Sequence, residues 1–295
     1  MARKAAVFGC SGQVGQELVS ELRARGYDVT GWERVALDIT YRDKVERVLS
    51  DLDPEVVFNA AAYNQVDVAE KEPQAAFVAN ALGVRNLALA CRQIDAQLVH
   101  FSTDYVFDGE AQRPYREDDP THPLGAYAVS KLAGELFAQA YLERPLIVRT
   151  CGVFGPGGLH TNRGNFVELM IRRAAAGQPI RVVEDHIGSP TYAPLLAART
   201  IDLVEKRQNG VFHIAGGTEI SWFKFAKLIF ETAGLKAALQ STNEREYRTP
   251  ARRPKYSALS NSKMERAGLA PMPPLAECVA TYLAVRQKLV TQAKA

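Results

Sequence analysis

The chain lacks any apolar run long enough to cross a bilayer: a spanning helix needs ~20 residues, and the stretch from Ala75 to Ala90 is interrupted by Asn80, Arg85 and Asn86. Cysteine is scarce. Cys10, Cys91, Cys151 and Cys278 are far apart and form no CxxC pair, which argues against a zinc site or a disulfide framework and suits a reducing, cytoplasmic setting. The histidines, His100, His122, His160, His186 and His213, show no HxxxH or HxH arrangement, so spacing assigns no metal. Charge of one sign is missing too: 36 Lys+Arg against 33 Asp+Glu leave +3, too weak a field to imply nucleic acid or an anionic membrane. Any anionic ligand must be held locally. The two tryptophans, Trp32 and Trp222, read as packing residues, Trp222 opening a helix whose Phe225, Leu228, Ile229 and Phe230 form a core stripe.

What is present is an ordinary globular composition, 47% hydrophobic and 23% charged over 295 residues, enough for one large domain or two intimate ones at roughly 150 residues each. Arg3-Lys4 before Ala5-Ala6-Val7-Phe8 faintly mimics a signal sequence, but Ser11, Gln13, Gln16 and Glu17 cut the apolar run short, and it reads as a first strand. Strands are expected at 5–8, 28–32, 56–59, 98–102 and 146–150. Helical spacing lies between them at 13–25, 43–52, 74–94 and 125–142. That rhythm means βαβ units and a parallel sheet covered on both faces. The expected fold is α/β, a Rossmann-type doubly wound parallel sheet with a smaller C-terminal lobe. Residues 1–150 plus about 192–215 would bind a dinucleotide; 151–191 and 216–295 would form the substrate lobe.

Gly9-Cys10-Ser11-Gly12-Gln13-Val14-Gly15 follows the first strand and opens a helix. Glycines there permit a tight turn and close approach to a pyrophosphate, while Gln13 and Val14 begin the helix whose amides face the phosphate charge. Glu33, at the end of the second strand, is the acidic candidate for the adenosine ribose, whereas Arg34 would instead pair with a 2′-phosphate. The choice between NADH and NADPH stays open. Asp38 either reaches the adenine edge or caps a turn.

Tyr127 and Lys131, four residues apart early in a helix, share one face. A neighbouring ammonium favours phenolate over phenol, and a tyrosine so placed suits acid/base work near neutrality. The alternative is a packed ring under a solvated amine. The fourth strand ends in Ser102-Thr103-Asp104-Tyr105, on the carboxyl side of the sheet where ligands bind in open α/β folds, so Thr103 falls at the crevice.

Taken in order, Gly9-x-x-Gly12-x-x-Gly15, Asn59-Ala60-Ala61-Ala62-Tyr63 with Val66-Asp67-x-Ala69-Glu70, Ser102-Thr103-Asp104-Tyr105-Val106-Phe107-Asp108-Gly109, Tyr127-x-x-x-Lys131, Asp185-x-x-Gly188-x-Pro190-Thr191 and Ala251-Arg252-Arg253-Pro254 resemble the extended short-chain dehydrogenase/reductases, most nearly the dTDP-4-dehydrorhamnose reductase group. The resemblance implies NAD(P)H-dependent reduction of the C4 ketone of a nucleotide-activated 6-deoxysugar. It casts Tyr127 as the acid, Lys131 as holding the nicotinamide ribose, and Thr103 as orienting the carbonyl. It sets Ala60, Ala61 and Ala62 against the cofactor, Asp104 and Asn80 near the sugar, and Arg252 or Arg253 on the diphosphate; a solvated basic loop or simple caps are the plainer readings. It also implies a homodimer through the helices flanking the tyrosine. One departure stands out: members of that group usually carry a tryptophan on the sugar where this chain has Gly152, in Arg149-Thr150-Cys151-Gly152-Val153. The 155–165 loop, with His160 and Arg163, is a candidate replacement. The alternatives are an epimerase or dehydratase of the same superfamily, which recycles its nicotinamide, and a non-catalytic dinucleotide-binding regulatory subunit.

Overall fold

The computed structural model describes residues 2–161 and 164–292. In the first half, β1 (Lys4–Phe8), α1 (Gln13–Ala24), β2 (Asp28–Trp32), α2 (Arg42–Leu52) and β3 (Val56–Asn59) are followed by the short α3 (Val66–Ala69) and α4 (Pro73–Phe77), then α5 (Gly83–Gln93), β4 (Gln97–Thr103), α6 (Ala126–Tyr141) and β5 (Leu146–Thr150). The second half holds α7 (Phe166–Ala175), β6 (Ile180–Val183), β7 (Ile187–Gly188), α8 (Ala193–Glu205), β8 (Gly210–His213), β9 (Ile220–Ser221), α9 (Trp222–Ala233), β10 (Leu239–Thr242), α10 (Ser262–Arg266) and α11 (Leu275–Gln292).

Six strands form one parallel sheet in the order β2-β1-β3-β4-β5-β8. β3, β4 and β5 are buried almost throughout, as near-continuous Val, Ile, Leu and Phe require when helices cover both faces. One face packs Val7, Leu18, Leu22, Phe58 and Val148 against α8; the other packs Phe8, Val45, Leu49, Val57, Leu87 and Ile147 under α2 and α5. From β1 the chain goes to β2 on one side and returns to β3 on the other, so a crevice opens at the carboxyl ends of β1 and β3. A separate cluster gathers Phe154, Val167, Met170, Phe225, Ile229, Val279 and Tyr282 from α7, α9 and α11.

The helix expected over 74–94 is interrupted. Val78–Leu82 forms a π-turn between α4 and α5, and close packing explains it: a Cβ on Gly134 of α6 would lie 2.2 Å from the Asn80 carbonyl oxygen, and one on Gly83 would lie 2.7 Å from Ile39 Cδ1. The wider turn lets the Asn80 amide reach out of its helix, as π-turns near functional sites often do. β10 pairs with β6; the two-residue β7 and β9, which pair antiparallel with Ile187 opposite Ser221, are too short to carry a periodicity.

Candidate active site

β1 runs into the turn at Gly9. Its φ is +75°, and a Cβ there would stand 2.6 Å from the Ala61 amide nitrogen. A Cβ on Gly15 would stand 2.1 Å from the Gly9 carbonyl oxygen, so α1 presses directly on the turn. The Gly12 amide donates to the Gly9 carbonyl at 3.0 Å. Gly12 starts α1 with no side-chain cap and no acidic residue in the first turn, which leaves the positive end of the helix to an external anion.

A groove of about 230 Å³ leads from this turn past Arg34, Leu37, Asp38, Ile39, Ala60, Ala61 and Ala62. It shares Gly12, the three alanines and Asn64 with a cleft of about 450 Å³, whose walls include Gln13, Val14, Thr103, Asp104, Tyr105, Tyr127, Lys131, Gly152, Val153 and Trp222. The glycine turn and the tyrosine–lysine pair therefore open on one depression. These residues fit a dinucleotide: glycine-only backbone and an uncapped helix start at the middle, Arg34 and Asp38 at one end, the cleft at the other.

The tyrosine helix is fixed from several sides. Gly125 precedes α6, and a Cβ there would meet Glu70 Oε1 at 2.6 Å; the same carboxylate accepts from the Ala126 amide at 2.8 Å, capping α6 from α3. Tyr127 Oη donates to Asn64 Oδ1 at 3.4 Å, and its ring meets Tyr105 edge-on at 6.2 Å. One turn on, the buried Lys131 ammonium donates to the Phe101 carbonyl of β4 at 2.5 Å. Burial pushes its pKa down to about 8, against the pull of Glu135. Glu135, a further turn along, receives Arg149 of β5 at 2.7 Å, both side chains almost wholly buried, and also the Ser102 hydroxyl. A buried pair of this kind costs desolvation that its hydrogen bonds must offset; three from Arg149 and one from Ser102 converge on Glu135 and bolt α6 to β4 and β5.

Thr103 Oγ1 donates to Asp104 Oδ1 at 3.1 Å and accepts from the Tyr105 amide at 3.2 Å. Burial pushes Asp104 up to about 6, although Ser257, Cys151 and Thr103 all stabilise its charged form.

Some expected residues lie elsewhere. Glu33 is exposed and absent from the groove wall, because the turn after β2, in which its carbonyl accepts from the Ala36 and Leu37 amides, swings it outward. Arg34 lines the groove instead, its Nε 3.0 Å from Asp38 Oδ2. Asp38 also accepts from the Thr40 amide at 2.9 Å; against the burial that would raise it, those partners hold its carboxyl below the usual range. Asn80 does not reach the cleft: it is buried, takes the Tyr63 amide at 2.8 Å, and donates to the Tyr63 carbonyl and Ser130 Oγ at 3.0 Å. Its amide ties the loop after β3 to α6. Gly15 packs behind the turn rather than lining it. Arg252 is exposed, whereas Arg253 is clamped by Asp67 at 2.8 Å and stands beside Tyr105. His160 is exposed and off the wall, and Arg163 lies outside the described residues.

Asn64, Tyr105, Glu135 and Arg149 were missed. Glu135 had a signal, the continued four-residue spacing from Tyr127 through Lys131; Arg149 had none, since its partner is 14 residues away on another element. Trp222, expected only to pack, does pack, but it also forms part of the cleft wall. Asp185, His186 and Glu244 bring ligand-type atoms within 4.8 Å of one another, yet the Glu244 amide already donates to Asp185 and Lys255 Nζ lies 3.7 Å from the Glu244 carboxylate.

The RmlD substrate binding domain family matches residues 3–287. The chain is 40% identical over 268 residues to the spore coat polysaccharide biosynthesis protein SpsK of Bacillus subtilis, covering 91% of this chain and 93% of that one. It is 36% identical to dTDP-4-dehydrorhamnose reductase of Escherichia coli, over 88% of this chain and 90% of that one. A crystal structure of dTDP-4-dehydrorhamnose reductase from Bacillus anthracis in complex with NADP superposes with a TM-score of 0.92 at 36% identity, covering 96% and 99% of the two chains. UDP-glucose 4-epimerase of Thermotoga maritima, at 22% identity and a TM-score of 0.84, shares the fold. On a match that spans almost its whole length, the chain belongs to the RmlD substrate binding domain family.

Proposed function

We propose that the protein reduces the C4 ketone of a nucleotide-activated 6-deoxysugar, as a dTDP-4-dehydrorhamnose reductase does. The observation that carries this reading is a single cleft walled by Thr103, Tyr127 and Lys131 and continuous with the glycine turn. The names of the relatives at 36–40% identity favour the reductase over the epimerase, whose structural likeness extends to the fold alone.

When bound, a reduced nicotinamide supplies the hydride for the ketone carbon. Tyr127 gives its phenolic proton to the developing alkoxide, so the ketone becomes an alcohol and the tyrosine a phenolate. Lys131, held on the Phe101 carbonyl, places a positive charge where it favours that phenolate. Thr103 orients the carbonyl oxygen when its single hydroxyl proton, which otherwise goes to Asp104 Oδ1, turns to the substrate. The turn from Gly9 to Gly15 would hold the diphosphate. Arg34 rather than Glu33 lines the adenosine end, which supports NADPH over NADH.

The sheet-forming segments, 1–150 with about 192–215, would hold the coenzyme; 151–191 and 216–295 would hold the sugar nucleotide, with Asp104 at the sugar and Arg253 near the entrance. A homodimer through α4 and α6 is part of the same reading, supported by exposed Phe77, Val78, Val129 and Leu136 on those elements and the π-turn between them. So is a cytoplasmic setting, supported by the four free cysteines. No helix among the described residues is long and apolar enough to cross a membrane.

The test is incubation with a dTDP-4-keto-6-deoxyhexose and each reduced nicotinamide, with identification of the product. The parent is expected to yield the 4-hydroxy sugar. Tyr127→Phe is expected to bind NADPH normally and lose about 10²-fold or more of kcat; equal turnover by the two proteins would remove the assigned acid.

A further inference from the structure

The corner of the cleft beyond β5 is apolar, formed by Gly152, Val153 and Trp222, and Trp222 supplies the one indole in that wall. Gly152 lies two residues past Thr150, the register partner of Thr103, so this corner adjoins the strand end that presents Thr103. Gly152 has φ +50°, and a Cβ on it would stand 2.8 Å from Cη2 of Trp222 and 3.4 Å from the Pro190 Cα. The tip of the indole therefore occupies the space that a side chain at position 152 would need.

Both the backbone and the ring of Trp222 are held by neighbours. Its backbone amide donates to the His186 carbonyl at 3.2 Å. Ser221 caps α9 by accepting from the Lys224 amide at 3.2 Å, and β9 directly before it pairs with β7. Phe166 meets the indole edge-on with ring centres 4.9 Å apart. A core tryptophan would be covered throughout; this one is half-buried and contributes to the cleft. A rigid, half-buried indole offers apolar surface with little conformational entropy left to lose on binding.

We propose that Trp222 is a specificity-determining residue that packs against the apolar C–H face and methyl group of the 6-deoxysugar, with Gly152 conserving the space for it. The inference rests on the reductase reading and deepens it. The sugar hydroxyls and the diphosphate are matched by the polar side chains of the cleft; the flat indole beside the strand end that presents Thr103 matches the deoxysugar's apolar face.

The test uses a Trp32→Phe background, in which Trp222 is the sole tryptophan and the replaced ring only packs on Phe8. Titration with dTDP-rhamnose is expected to change indole emission, and dTDP alone to leave it nearly unchanged. By calorimetry, Trp222→Ala should weaken dTDP-rhamnose about ten-fold, ~1.4 kcal/mol, leaving dTDP and NADPH affinities intact as the check on folding. Trp222→Phe should restore most of the loss, and Gly152→Ala should weaken dTDP-rhamnose without removing the ring. If dTDP-rhamnose binds but Trp222→Ala holds it as tightly as the parent, or emission responds equally to dTDP, this inference falls alone. If the folded parent binds neither nucleotide, the reductase reading falls and takes the inference with it.

Discussion

Lys131 shows how a residue is tuned by what surrounds it. Its ammonium is buried, faces a carbonyl rather than water, and titrates near 8 instead of the ordinary 10.5. The charged form is present below about 8 and lost above it, so kcat/KM should fall as pH rises through that value. Stability should move the other way: between about 8 and 10.5 the unfolded chain binds more protons than the folded one, so stability rises with pH across that window. Measured against Lys131→Met, whose stability lacks this contribution, opposite slopes of rate and melting temperature are expected; a parent rate flat across the window would contradict the assignment. Arg34 is the other residue with a direct test. Its guanidinium lines the groove and is mostly exposed, paired with Asp38, so Arg34→Ala should lower the ratio of NADPH to NADH kcat/KM by about ten-fold, a loss of ~1.4 kcal/mol. An unchanged ratio would return the ribose contact to another residue. Both positions were legible in the sequence, Lys131 through its spacing from Tyr127 and Arg34 beside the acidic position; that Glu33 turns away depends on the loop after β2, which carries no periodic signal.

At the scale of elements, the glycine turn and the tyrosine helix are positioned by different means. The turn is shaped by what cannot fit. Because a Cβ on Gly15 would collide with the Gly9 carbonyl, Gly15→Ala must push α1 off the turn, and dinucleotide affinity should drop by more than ten-fold (~1.4 kcal/mol) in an otherwise folded protein. Calorimetry with NADPH checks this, and unchanged affinity would mean that α1 can shift freely. The tyrosine helix is shaped by polar ties. Glu70 caps it, Asn80 binds Ser130 on it, and Arg149 anchors Glu135 near its middle. The strands and long helices were readable because burial on both faces leaves continuous apolar runs and one-sided burial leaves a helical period. The π-turn was not, because the groups that crowd it, Gly134 against Asn80 and Ile39 against Gly83, are distant in sequence, and Asn80 looks the same in sequence whether it faces a ligand or Tyr63. The motif Val66-Asp67-x-Ala69-Glu70 was recognised without a reason; the structure supplies one, with Glu70 holding α6 and Asp67 holding Arg253.

Across the whole molecule, one parallel sheet sets the crevice at the ends of β1 and β3, and a second apolar cluster from α7, α9 and α11 brings Trp222 to the far wall. Gln13 of α1 meets Asn165 at 3.1 Å, and Glu17 receives the Gly157 amide at 3.3 Å, so the helix that starts at the glycine turn is also braced by the segment beyond β5. The proposed coenzyme and sugar sides would thus share a boundary at which Tyr127 and Thr103 stand. On the proposed reading, this cleft consumes a reduced coenzyme to make an alcohol from a ketone. The most direct measurement is the stoichiometry of coenzyme oxidised to sugar converted, followed together by absorbance and product analysis. One NADPH oxidised for each 4-keto-6-deoxysugar reduced is the expected result; sugar conversion that returns the nicotinamide to its starting redox state, with no net loss of NADPH, would rule out the reductase.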